Sequence, residues 1–279
     1  MTTCVVFVCD EHYFDKFLYT YYLLRTKGEY TGDVCLVVDD AFYGHPILIT
    51  FLHNENQRRL QKYPHSPETE HVIIQPFSFP PFPSTFYQTQ TSLQRPSHWN
   101  QKLFQFHKLH VFQPVFKRWN YILYLDCGIT IFLPIQPILD CKTPNTLLAH
   151  SNAYPYYRYN LSSEFEKSNS LYDVLSSLYD LNVDAPQTTV MLYDTNIIQG
   201  ETTYRELYDL CIRYPISLTN DQGIIALYFT VIRPCWKQIP VGNLQYCFYD
   251  YLRRMVETRP YIMLKVIHIV DNNEKIEGI

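Results

Sequence analysis

The 279-residue chain carries a formal charge of −4, with 47% hydrophobic and 18% charged residues. That balance excludes a disordered or coiled-coil protein, and it lacks the broad basic surface that binding along a nucleic acid requires. A chain of this size buries enough core to fold without disulfides, and its eight cysteines form no C-x-x-C pair that would signal zinc or redox chemistry.

Taken in order, Thr3 to Val8 is continuous and β-rich, as in a strand buried on both faces of a parallel sheet. A helix over Tyr13 to Lys27 and a strand over Val34 to Val38 complete a βαβ unit closed by Asp39-Asp40. His71 to Gln75 predicts a third strand. The prolines between Pro76 and Pro83 then predict a loop that neither helix nor central strand can enter. Trp99 to Gln113 has apolar positions at helical spacing, among them Leu103, Phe106, Leu109 and Phe112. Tyr121 to Leu125 predicts a central strand, followed by extended chain through Leu133. A Tyr-rich loop over a cleft spans His150 to Leu161. Later elements are a strand at Thr188 to Tyr193, helices at Thr203 to Ile212 and Gln222 to Phe229, and a last strand at Lys265 to Val270. The whole reads as one α/β domain with a mixed, mainly parallel sheet. There is no basic leader and no apolar run of membrane-spanning length, so a cytoplasmic location is expected.

Ligands of open α/β sheets bind at the carboxyl ends of the strands. That rule singles out Cys9-Asp10, Asp39-Asp40, Asp126-Cys127-Gly128, Asp194 and His268. Asp126 follows a fully apolar run, and a glycine two residues on permits a tight bend. A carboxylate there either holds a hard cation or caps a turn. No Asp or Glu lies between His71 and Leu125, whereas Arg95, Lys102, Lys108, Lys117 and Arg118 all do, a pattern suited to a small anion or to a solvated helix face. His107 and His110 have H-x-x-H spacing, weak evidence for zinc on its own. Neither G-x-S-x-G nor G-K-[ST] occurs, which removes the serine-hydrolase and P-loop readings.

Tyr121 to Ile131, Y-I-L-Y-L-D-C-G-I-T-I, resembles the D-x-D region of GT-A glycosyltransferases, above all the glycogenin-like retaining family. Further stretches occur in that family's order. Cys4 to Tyr13 is similar to its first strand and nucleotide-binding turn, and Lys108-Leu109-His110 lies 18 residues before Asp126. Asn220-Asp221-Gln222-Gly223 resembles its G-D-Q-G helix start, and Val266-Ile267-His268 its late metal-binding strand. The resemblance covers nearly the whole chain. It implies a single GT-A domain over 1–279, with a nucleotide-binding half over 1–125 and an acceptor and metal half over 126–279, that moves a sugar, with retention, from a UDP-linked or similar donor to a glycan, protein or small-molecule acceptor. It implies Mn²⁺ or Mg²⁺ on Asp126 and His268, and catalytic Asp221 and Gln222. The donor would meet Cys9, Asp10 and Tyr13, then Lys108, Asp126, Cys127, Gly128 and Lys275.

The chain also departs from the family. Gly128 replaces the second carboxylate of D-x-D, Gln187-Thr188-Thr189 stands for N-S-G, and Ala226 for an Asn. Those changes raise a second reading, a degenerate member that binds a nucleotide-sugar or glycan without turnover. A nucleotidyltransferase comes third, because Cys9-Asp10-Glu11-His12 lacks the glycine-rich loop such enzymes carry.

Overall fold

The computed structural model describes residues 1–62, 71–93, 103–155, 159–251 and 257–265. Seven strands form the main sheet: β1 (Thr3–Val8), β2 (Asp33–Asp39), β3 (Val72–Phe77), β4 (Tyr121–Leu125), β6 (Leu147–Ser151), β7 (Pro186–Asp194) and β8 (Trp236–Gln238). Their order is β3-β2-β1-β4-β7-β6-β8. β1, β2, β3 and β4 run parallel, whereas β7 runs antiparallel to both β4 and β6. A second sheet joins β5 (Thr130–Ile131), β9 (Cys247–Tyr251) and β10 (Tyr261–Lys265), with β10 in the middle.

Strand periodicity assigns the two faces. Val5 and Phe7 of β1, with Leu123 and Leu125 of β4, face α1 (Phe14–Thr26) and α2 (Pro46–Lys62). Phe14, Phe17 and Tyr21 recur at helical spacing on α1 and meet Phe51 of α2 edge to face, with centroids 5.4–5.8 Å apart. Cys4 and Val6, with Ile122 and Tyr124, face the opposite layer. That layer contains the helical stretch Leu103–Phe112, α3 (Ser84–Ser92), α4 (Ser170–Leu178), α5 (Glu201–Arg213) and α6 (Asp221–Leu227). Helices on both faces of a sheet bury its strands completely, which is why β1, β2 and β4 are near-continuous apolar runs and why β7 is buried along its whole length.

Three expectations change. Pro76 lies inside β3, not in the loop after it, because β3 is an edge strand and proline removes no ladder donor on an open edge. The helix expected over Trp99 to Gln113 is wound as a 3-10 helix over Leu103–Phe112, residues 94–102 lying outside those described. The last described strand ends at Lys265, where it was expected to begin, and Val266 to Val270 lie outside the described residues. All eight cysteines are free. No helix among the described residues is long and apolar enough to cross a membrane.

One buried contact ties the 3-10 stretch to the sheet. The Tyr193 hydroxyl, fully buried on β7, donates to the Val111 carbonyl at 2.7 Å. Tyr193→Phe leaves that carbonyl without its donor, so urea unfolding should show a loss of about 1–3 kcal/mol; an unchanged midpoint would mean the contact contributes nothing.

Candidate active site

β7 brings an unexpected part of the chain to the ligand edge. Its antiparallel direction sets Val190 beside Leu125 and Asp194 beside Tyr121. Asp194 is therefore at the far edge, where it accepts from the Asn145 and Asn196 amides at 2.7 and 2.9 Å. The start of β7, Gln187 to Thr189, lies at the carboxyl end of β4 instead, and the Asp126 amide donates to the Thr189 carbonyl at 2.9 Å. The strand-end rule that selects Asp194 holds for parallel strands and reverses for this one.

At that edge a cleft of about 300 Å³ opens. Its charged lining is Lys108, Asp126, Glu164 and Asp221; the neutral lining is hydroxyl and amide, including Gln105, Asn152, Thr188, Thr219 and Gln222. Lys108 reaches it from the 3-10 stretch. Its ammonium lies 2.9 Å from Asp221 Oδ2, 3.2 Å from Asp126 Oδ1 and 3.3 Å from Thr188 Oγ1. Burial alone would depress the lysine pKa, but Asp126 and Asp221 more than offset it and the net shift is upward. Burial raises Asp221 to about 6, against the pull of Lys108 and with a push from Asp126. Tyr124 donates to Asp126 Oδ1 at 2.7 Å, so that oxygen already has two donors.

Glu164 organises the other wall, and nothing in the sequence marks it. Its buried carboxylate accepts from Asn152 at 2.6 Å, from the Thr219 hydroxyl, and from Gln222 Nε2 at 3.2 and 3.3 Å. Gln222 Oε1 accepts from the Thr188 amide at 3.1 Å, so both ends of the Gln222 amide are fixed. Burial raises the Glu164 pKa, while these hydrogen bonds pull it down. Gly223 is required here, since a Cβ would lie 2.6 Å from Ser217 Oγ and 3.2 Å from Glu164 Cβ. Asn220, at φ 55°, makes no side-chain cap and donates to Gln105 Oε1 at 2.6 Å. Asp221 points to Lys108 rather than capping α6.

The structure thus gathers Lys108, Asp126, Asp221 and Gln222 around one cleft. Cys9, Asp10, Tyr13, Cys127 and Gly128 form the adjoining turn. Asp10 caps the chain by accepting from the Tyr13 amide at 3.0 Å, Cys127 Sγ donates to the Val8 carbonyl at 3.4 Å, and Cys9 Sγ contacts the Asp10 carbonyl at 3.0 Å. Burial, Asp10 and Asp126 together push the Tyr13 phenol pKa up. His268 and Lys275 lie outside the described residues, as do Arg95 and Lys102. The other cations of that acid-free stretch do not form one patch. Lys117 donates to the Ile198 carbonyl at 3.0 Å, and Arg118 covers the Trp119 ring at 4.0 Å. His107 and His110 direct Nε2 to the Val38 and Ser78 carbonyls, both at 3.0 Å, as core histidines do, not zinc ligands.

For a divalent cation, Asp126 offers Oδ2, which has no partner among the described residues on a side chain 30% exposed. No three His, Cys, Asp or Glu converge on a point among the described residues. One open oxygen fits an ion held mainly by its other ligands.

No family model matches the chain, and no curated protein matches it in sequence. Solved structures do match. LgtC, in an active-site mutant, superposes with TM-score 0.60 at 9% identity over 95% of this chain and 87% of that one. The fold is the GT-A glycosyltransferase fold. GlyE of Streptococcus pneumoniae gives 0.57 at 13% over all of this chain, which spans 57% of GlyE. Core-mannan synthase A of Aspergillus fumigatus, solved with Mn and GDP, gives 0.50 at 9% over 88% of this chain and 76% of that chain.

Two outcomes test the charge cluster. Lys108→Met strands two carboxylates, and loss of one partner of a buried pair costs about 3–5 kcal/mol by chemical unfolding; a loss within error would mean the cluster is solvent-screened. Folded Asp221 keeps its proton to about pH 6, whereas the ordinary carboxyl releases it at 3.8. The folded state therefore binds more protons in that window, and stability falls as pH rises through it. Asp221→Asn should flatten that segment of the stability–pH curve, and an unchanged slope would assign it to another group.

Proposed function

We propose that the protein transfers a sugar from a nucleoside-diphosphate sugar, UDP-linked and with retention, to a hydroxyl-bearing acceptor. The observation that carries this reading is the cleft itself. Three carboxylates and one buried ammonium are set among hydroxyl and amide side chains at the carboxyl edge of a GT-A sheet. Such a lining matches the alternating donors and acceptors of a sugar ring.

In this reading the turn after β1, with Cys9, Asp10 and Tyr13, receives the nucleotide. Asp126, Cys127 and Gly128 receive the diphosphate. Asp221 and Gln222 hold the sugar's hydroxyls, and fixed placement of that kind lowers a barrier by several kcal/mol. Gln222 is held between Glu164 and the Thr188 amide, so its amide needs no reorganisation as the substrate enters. The bond from C1 to the diphosphate breaks, the acceptor oxygen bonds C1 on the same face, and the acceptor's proton passes to the departing diphosphate. Lys108 keeps Asp221 and Asp126 in place while that charge develops. Mn²⁺ or Mg²⁺, held by Asp126 Oδ2, His268 and diphosphate oxygens, would add Lewis-acid charge at the leaving group.

Gly128 favours one second reading, a binder of nucleotide-sugar that does not turn it over. A donor-hydrolysis and transfer screen across nucleotide-sugars, with and without Mn²⁺, separates the two. Turnover of at least one donor is expected, and binding without turnover would select the second reading. In the active pair, Asp221→Asn should keep nucleotide affinity and lower transfer roughly a hundredfold, or about 2.7 kcal/mol at the transition state. Transfer at the wild-type rate would remove Asp221 from the chemistry.

A further inference from the structure

Gly128 stands where the D-x-D pattern that Tyr121 to Ile131 resembles has its second carboxylate, and two lysine side chains flank it. Its φ of +83° lies in the left-handed region, and its amide donates to Thr20 Oγ1 at 2.9 Å and to the Lys16 carbonyl at 3.2 Å. A Cβ built there would lie 3.3 Å from Lys265 Nζ and 3.7 Å from Lys16 Cβ and Cδ. Lys265, the last residue of β10, donates to the Cys127 carbonyl. Burial sets the net downward shift of its pKa, with Asp126 and Cys127 pulling up and Lys16 and Lys108 pulling further down. Lys108 is matched by Asp126 and Asp221. Neither Lys16 nor Lys265 has an ion-pair partner among the described residues. Lys16 is exposed on α1, its ammonium 5.0 Å from the Tyr13 ring centre.

Two lysines with no ion-pair partner among the described residues, beside a residue without a side chain, make room and charge for an anion. They stand at the carboxyl ends of β1 and β4, where the nucleotide's phosphates arrive if the transferase reading holds, and this inference rests on that reading. We propose that Lys265 and Lys16 form a fixed cationic seat for the donor's diphosphate, giving it charge that a carboxylate at position 128 would supply only through a metal ion. Donor binding then persists when divalent cations are removed. Gly128 is, on this view, an exchange of one charge device for another and not the loss of one.

Titration calorimetry on the full chain tests it with UDP, GDP and inorganic pyrophosphate, each in EDTA and in Mn²⁺, with the melting midpoint recorded for every variant. The wild type should bind a nucleoside diphosphate in EDTA. Lys265→Gln should weaken both nucleotide and pyrophosphate by about tenfold or more under EDTA, since a charge-assisted hydrogen bond is lost. Lys265→Arg should restore most of that affinity, and Lys16→Gln should weaken it severalfold. Should Lys265→Gln fail to fold, Lys16→Gln decides, because Lys16 is exposed and packs no core. Wild-type binding seen only with Mn²⁺ overturns the seat and leaves the transferase reading standing. Unchanged affinity in both glutamine variants overturns it equally. If the wild type binds none of the three probes in either condition, the donor reading falls and the seat falls with it.

Discussion

An ammonium group surrounded by protein is stable only where carboxylates replace the water it has lost, and Lys108 has two within 3.2 Å. Those carboxylates come from opposite parts of the chain: Asp126 ends the central strand β4, and Asp221 opens helix α6. Lys108 arrives from the 3-10 stretch on the third side. Three elements far apart in sequence are thereby held to one point, with Thr188 at the start of β7 as a fourth contact. The cleft is the space around that point. Its shape depends on a pair that water would otherwise dissolve, so closure of the site and strength of the pair are one property.

The outline of the fold was readable because the parallel strands are buried on both faces and announce themselves as apolar runs. Tyr121 to Leu125 matches β4 end to end, and Thr3 to Val8 matches β1. The last strands were harder. β9 and β10 form a separate small sheet, and β8 has three residues, too few for any period to show. The direction of β7 was not readable at all, because an apolar run carries no sign of which way its strand points. That one ambiguity sent Asp194 to the wrong edge and left Gln187 to Thr189, marked only by their motif, without a place at the cleft.

Within the site, legibility followed chemistry that repeats locally. Asp126, Asp221 and Gln222 lie in short motifs that resemble a known pattern, and the structure sets them around one cleft. Glu164 lies in a short 3-10 turn with no periodicity, and its partners Asn152, Thr219 and Gln222 are spread over 70 residues of chain. Only Gly223 hints at it, through a close approach that a sequence cannot display. Lys265 was read as an ordinary strand residue, since its relation to Gly128 spans 137 positions and exists only in three dimensions.

Pro76 has a further consequence beyond its effect on β3. A sheet's outer strands carry unpaired amides and carbonyls that invite another chain to add itself as the next rung. On one side of this sheet the outermost strand contains a proline, which has no amide to offer. On the other side the outermost strand is only Trp236–Gln238, too short to template a stable partner. Both borders are blunted by different means, one by a missing donor and one by missing length. For a protein with 47% hydrophobic residues, edges of that kind disfavour edge-to-edge growth of the main sheet.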